Sequence, residues 1–185
     1  MYTLTGKGAI LEIWDIYDAV RVKTGQTKAR GSLLEQGEYH LVVHVCIFNS
    51  KGEMLIQQRQ PFKNSWPNMW DITVGGAAVS GDSSQVAAER ELFEEIGYRV
   101  DFDGIRPQLS VNFDEGFDDY YLVERDLEID ILKLQDEEVK QVKWASEDEI
   151  IAMMNKGEFI PYHKQLIGLL FIMRTAYGAH RRSRE

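Results

Sequence analysis

The chain has 185 residues, 44% hydrophobic and 28% charged, a balance that supports a packed core and opposes disorder. No apolar run approaches the ~20 residues that cross a bilayer, and the single Cys46 excludes an internal disulfide or a multi-cysteine zinc site. Twenty-one Lys and Arg against 30 Asp and Glu leave a net charge of −9, which opposes a nucleic-acid surface built on counterion release. An acidic protein still binds phosphates where metal ions stand between the two sets of anions. The start, MYTLTGKGAILEIWDIYDAV, lacks a basic head and a small-residue cleavage site. The expectation is a soluble, cytoplasmic protein of one domain over residues 1–185, with no nucleic-acid or membrane partner.

Alternation over Leu11–Tyr17 predicts a strand, with a turn at Thr24-Gly25 and a return toward Arg30, giving an N-terminal hairpin over about residues 9–31. His40–Phe48 is apolar on both faces, as a central strand is, and Asn49–Gly52 turns it into a partner strand over Glu53–Arg59. After a loop at Pro61–Pro67, Trp70–Val74 reads as a short strand ending at Gly75-Gly76, followed by a helix from Ser83 to Ile96. An acidic loop at Asp114–Asp119 precedes strands at Tyr120–Glu124 and Val139–Trp144, and helices are expected at Ser146–Asn155 and His163–Tyr177. This irregular order predicts an α/β (α+β) fold with a mixed sheet between helices, not a regular βαβ series.

The helix after Gly76 carries the chemistry. Asp82 and Gln85 have the spacing of a capping box, and Gly97 stands where a left-handed stop is expected. At about 100° per residue, Val86, Leu92, Phe93 and Ile96 share a sector expected to pack on the sheet, with Glu91, Glu94 and Glu95 opposite. Taken alone, three such acids describe a solvated face, since Glu is a good helix former. They also suit Mg²⁺ or Mn²⁺, which favour carboxylate oxygens.

The ordering Gly76, then Asp82, then Arg90-Glu91-Leu92-Phe93-Glu94-Glu95-Ile96-Gly97-Tyr98 favours the second account. It resembles the Nudix box of the Nudix hydrolase superfamily, here over residues 76–98: Gly, five residues, Glu, seven residues, Arg-Glu-aliphatic-any-Glu-Glu-any-Gly-aliphatic. Tyr98 replaces the last aliphatic residue, and Asp82 replaces the first Glu with an arm one methylene shorter. The shorter acid is expected to act mainly as a helix cap, leaving Arg90 partly unsupported.

The resemblance implies the Nudix fold and metal-assisted hydrolysis of a diphosphate linked to another group, nucleoside diphosphate derivatives above all. Glu91, Glu94 and Glu95 take the family's metal positions, joined by the Gly75 carbonyl and Asp118, and Arg90 orients the acids. Glu91 is the first candidate base, with Asp114, Glu115, Asp118 and Glu138 open. Arg59, Lys63 and Trp66 flank the implied cleft as candidate substrate contacts, or are a solvated pair and a loop anchor.

Glu12–Asp15, Tyr39–Leu41, Asn49–Gly52, Trp66–Trp70 and Val142–Trp144 further resemble the branch that includes isopentenyl diphosphate isomerase. That reaction needs a Cys and a His where this chain has Gly75 and Ala77, so the similarity implies the shape more than the isomerisation. A regulator that binds a nucleotide without cleaving it is the third reading, admitted by Asp82. His40 and His44, an even number apart on one strand, are expected as satisfied core histidines ahead of a ligand pair, Cys46 as a buried core residue ahead of a nucleophile, and Leu166–Met173 as core packing or a homodimer interface.

Overall fold

The structure is a computed structural model that describes residues 2–4, 10–176, 178 and 180. Strands β1 (Tyr2–Leu4), β2 (Ile10–Tyr17) and β3 (Lys23–Ala29) form an antiparallel sheet in that order. A larger sheet takes β4 (His40–Phe48), β5 (Met54–Arg59), β6 (Trp70–Asp71), β7 (Val74–Ala77), β8 (Leu109–Phe113), β9 (Gly116–Glu124) and β10 (Val139–Ala145). Its path is β10-β5-β4-β9-β8, with β6 on β5 and β7 on β4. Helices are α1 (Ser84–Ile96), α2 (Glu147–Lys156) and α3 (Lys164–Met173). The expected α/β class with a central mixed sheet is the one found.

The chain divides into two compact units. The first comprises Met1–His44, Gly75–Glu91 and Val100–Tyr121. Here the hairpin turns earlier than Thr24-Gly25. Asp18 Oδ1 accepts the N–H groups of Val20 and Val22 at 3.0 and 2.9 Å, and Arg21 takes a φ of 65°. A short aspartate side chain that bonds the backbone two residues on makes this turn without glycine. Residue 9, at the edge of the expected hairpin, lies outside the described residues.

The acidic stretch is a turn only at Asp114-Glu115; Gly116–Asp119 are already strand, paired to β8, which the sequence did not suggest. Asp119 is fully buried and accepts from Arg21 and from the hydroxyls of Ser84 and Ser110. Tyr121 donates to Ser84 Oγ at 2.8 Å, which completes a polar cluster that ties the start of α1 to β9.

The second unit comprises Val45–Val74, Leu92–Arg99 and Leu122–Glu185. Its core takes Cys46, Ile47, Phe48, Leu55, Ile56, Leu92, Ile96, Ile150, Ile167 and Leu170, all without solvent exposure. The expected strand at Trp70–Val74 is broken: Asp71 pairs with Gln57, whereas Ile72 and Thr73 leave the ladder. The Thr73 hydroxyl stands in for the missing backbone bonds, accepting from Ile47 N–H at 2.9 Å and donating to the Leu55 carbonyl. Helix α2 starts with a reciprocal box between Ser146 and Glu149 and stops at Gly157, whose φ is 71°. Tyr177, the expected end of the last helix, lies outside the described residues.

Candidate active site

In the first unit the site is organised around Arg90. Its Nε and Nη2 both donate to Asp82 Oδ2, at 3.2 and 3.1 Å, Nη2 reaches the Ala77 carbonyl at 3.1 Å, and Nη1 donates to Glu91 Oε1 at 2.7 Å. The three side chains keep only 13–18% exposure, so these charge-assisted bonds are largely shielded from water. Asp82 is therefore the acid that holds Arg90, contrary to the expected cap. The cap is Ser83, whose Oγ accepts from Val86 N–H at 3.2 Å. Gln85, the expected box partner, instead donates to the Ile105 carbonyl.

The loop carrying Asp82 is fixed by the hairpin. Asp15 accepts from Ser80 Oγ at 2.7 Å, Gly81 N–H at 3.0 Å and Lys23 Nζ at 2.7 Å. Lys23 also donates to the Asp82 carbonyl at 2.8 Å. Burial alone would push the Asp15 carboxyl up, but these donors and the lysine charge outweigh it and hold the group below its ordinary value.

Glycine is needed beside Glu91. A Cβ built on Gly76 would lie 2.2 Å from Glu91 Cδ, so any side chain there would displace the carboxylate. At Gly75 the same test meets His44 Nδ1 at 2.7 Å. His44 Nε2 lies 3.0 Å from Asp118 Oδ1 and its ring stacks on Tyr120, which engages Asp118 with a histidine. His40 stacks on Trp14 with ring centroids 4.2 Å apart. His40 is buried as expected, whereas His44 keeps 12% side-chain exposure beside Asp118, and Nδ1 of each is buried without a hydrogen-bond partner.

In the second unit Glu95 is buried and accepts from Gln57 Nε2 at 2.8 Å, whereas Glu94 is exposed. The expected helix faces are thus corrected. Val86 and Phe93 are 49% and 43% exposed, and the buried residues are Ala87, Ala88, Leu92, Glu95 and Ile96. At about 100° per residue these define an arc of roughly 180° with Glu95 near its middle and Glu91 between Ala87 and Glu95. Two of the three acids face inward, each met by a donor, and a helix with a carboxylate-bearing buried flank cannot be sorted by hydrophobicity alone.

The only sign of Gln57's role in the sequence is a polar residue after the apolar start of β5. Arg59 Nε donates to the Ser65 carbonyl at 3.2 Å, Lys63 pairs with Glu138, and Trp66 is 46% exposed, so all three substrate candidates lie on or against one loop. Among the described residues, no group of three or more His, Cys, Asp or Glu side chains is gathered closely enough to hold a metal ion as it stands. Cys46 is fully buried and burial pushes its thiol far up, the state of an inert core residue.

The NUDIX domain family model matches residues 38–167. An uncharacterized Nudix hydrolase of Listeria monocytogenes is 45% identical over 170 residues, 92% of this chain and 99% of the relative. A crystal structure of a Deinococcus radiodurans protein superposes with a TM-score of 0.68 at 25% identity, covering 86% of this chain and 97% of that one. An isopentenyl-diphosphate Delta-isomerase of Pectobacterium atrosepticum is 30% identical over 125 residues, 64% of this chain and 68% of its own. With the box residues Arg90, Glu91, Glu94 and Glu95 on one helix and the domain match running across most of the chain, the protein belongs to the Nudix hydrolase family.

Proposed function

We propose that this Nudix hydrolase is a Mg²⁺- or Mn²⁺-dependent pyrophosphohydrolase that cleaves the diphosphate of a nucleoside diphosphate linked to another moiety. The observation that carries this reading is the pair of inward carboxylates on α1, Glu91 held by Arg90 and Glu95 held by Gln57. Two features fit a hard divalent cation: the side-chain donors are all oxygen, and the buried Gln57 Oε1 beside Glu95 has no hydrogen-bond partner. Glu91, Glu94 and Glu95 would hold the metal, with the Gly75 carbonyl and Asp118 as further candidates. When bound, the metal supplies charge neutralisation on the phosphates, polarisation of phosphorus and an activated water.

The chain's own residues set the rest. Arg90 locks the Glu91 carboxylate in one orientation, and Glu91 is the first candidate to accept the proton of the attacking water. Arg59 and Lys63 supply positive charge for the phosphates. The isomerase reading loses ground, because Gly75 offers no side chain for proton transfer and the space a cysteine would take is filled by His44. The non-hydrolytic reading rested on an unsupported Arg90, and Asp82 supports it.

The test is incubation with Mg²⁺ and a panel of diphosphates that includes isopentenyl diphosphate, with products identified by mass. Cleavage at the anhydride is expected, and Glu94→Gln and Glu95→Gln should each lose most turnover. Near wild-type rates in both variants at saturating Mg²⁺ would remove the assignment.

A further inference from the structure

The family match begins at residue 38, yet the acid that holds Arg90 is itself held from outside that span, by the N-terminal hairpin. Asp15 lies in β2, and Lys23 opens β3. The Lys23 ammonium bridges two oxygens, Asp15 Oδ2 at 2.7 Å and the Asp82 carbonyl at 2.8 Å. Asp15 Oδ1 accepts the Ser80 hydroxyl at 2.7 Å, and Oδ2 accepts Gly81 N–H at 3.0 Å. Ser80 N–H donates to the Ile13 carbonyl at 2.6 Å, so each residue from Ser80 to Asp82 is bonded to the hairpin. Gly81, at a φ of 96° with no atom in the way of a Cβ, gives this loop a backbone that would otherwise take several shapes.

The loop ends in the arginine contact. Asp82 Oδ2 accepts from Arg90, and Arg90 Nη1 donates to Glu91 Oε1, so a hydrogen-bonded path runs unbroken from Lys23 and Asp15 to the Glu91 carboxylate. Asp15, Asp82, Arg90 and Glu91 keep only 13–18% exposure, where charge-assisted bonds are little weakened by water. The hairpin is itself a fixed reference. Arg21 at its turn pairs with the buried Asp119, and Tyr17 exchanges backbone bonds with Tyr39 at 2.8 and 3.0 Å.

We propose that Asp15 and Lys23 are positioning residues for Glu91: the hairpin sets the orientation of that carboxylate through Asp82 and Arg90, and with it cation affinity and turnover. The proposal rests on the metal site assigned to α1. It makes the hairpin part of the active site, although neither residue touches substrate or cation.

Titration with Mn²⁺, followed by the electron paramagnetic resonance of the free ion, tests this, with turnover of the diphosphate panel as the second readout. Lys23→Met should weaken Mn²⁺ by about tenfold and lower kcat by about tenfold at unchanged KM, the low end of the range for groups that orient metal ligands. Lys23 is 40% exposed, so the variant keeps its core, and Lys23→Arg, which retains the donors, should restore most of both. Lys28→Met is the control on the same strand, since Lys28 pairs with Glu38 and the Leu33 carbonyl instead of the loop, and it should change neither readout. In an Arg90→Ala background Lys23→Met should add little, because the path is already cut. The proposal is overturned if Lys23→Met binds Mn²⁺ as the wild type does, if Lys28→Met does equal harm, or if the losses simply add in the double variant. Weakened Mn²⁺ binding in a protein that cleaves no diphosphate would leave the hairpin's role standing and sink the hydrolase reading. Hydrolysis and Mn²⁺ binding that both ignore Lys23→Met would do the reverse, and a wild type that binds no Mn²⁺ would remove both.

Discussion

The Cα of Gly76 faces the carboxylate of Glu91 so closely that a Cβ there would come within 2.2–2.4 Å of its three terminal atoms. Gly76 is therefore a positioning residue for Glu91. Gly76→Ala is expected to keep the fold and lower kcat by on the order of 100-fold, the scale of a 1 Å misplacement at a reacting centre. Steady-state kinetics beside a thermal melt checks this. A fully active, equally stable variant would show that the carboxylate has room to move.

Asp82 and Arg90 act as one unit, since both guanidinium contacts to Asp82 converge on Oδ2. Asp82→Asn should cost about 1.5–3 kcal/mol of stability, the range for a hydrogen bond to a charged group, because the pair is mostly shielded. Its effect should largely vanish when Arg90 is already alanine. A double-mutant cycle by denaturant unfolding measures the coupling, and strict additivity would contradict the arrangement. Asp82→Glu, which restores the acid of the family's box, should keep the contact.

Asp15 makes stability depend on acid. Its folded carboxyl lies below the ordinary value of 3.8. The contribution is therefore fully present above about pH 4 and is lost as pH falls through the folded value. The gap in melting temperature between wild type and Asp15→Asn should be constant from pH 5 to 7 and close below about pH 4. A gap that widens on acidification would reverse the sign and refute the assignment.

Cys46 is sealed in β4 with its thiol pushed far up, so thiolate reagents should not reach it in the native protein. Labelling at pH 8 should proceed at the rate of global unfolding and become rapid in denaturant. Fast labelling of the native state would place the side chain elsewhere.

The sequence by itself determined the elements whose residues carry their own instruction. His40–Phe48 is apolar on both faces and rich in β-branched residues, and it became β4 with the same bounds, as a run of that kind suits a strand covered on both sides. Gly97, at a φ of 68°, ends α1 where a residue free of a Cβ was expected to, and the box residues placed Arg90, Glu91, Glu94 and Glu95 on that helix. Local chemistry was legible because it acts within a few residues.

What only the tertiary structure decided is which partner each polar group finds. Asp82 is equally suited to cap a helix or to hold an arginine, and the choice fell to Arg90 because that side chain folds back over the loop while Ser83 takes the cap. Glu95 is buried because Gln57, distant in sequence, supplies its donor. Thr73 breaks an apparent strand because its hydroxyl meets Ile47 and Leu55 from two other strands. A buried polar group goes where its hydrogen bonds can be satisfied, and those partners come from segments that only the folded chain brings together.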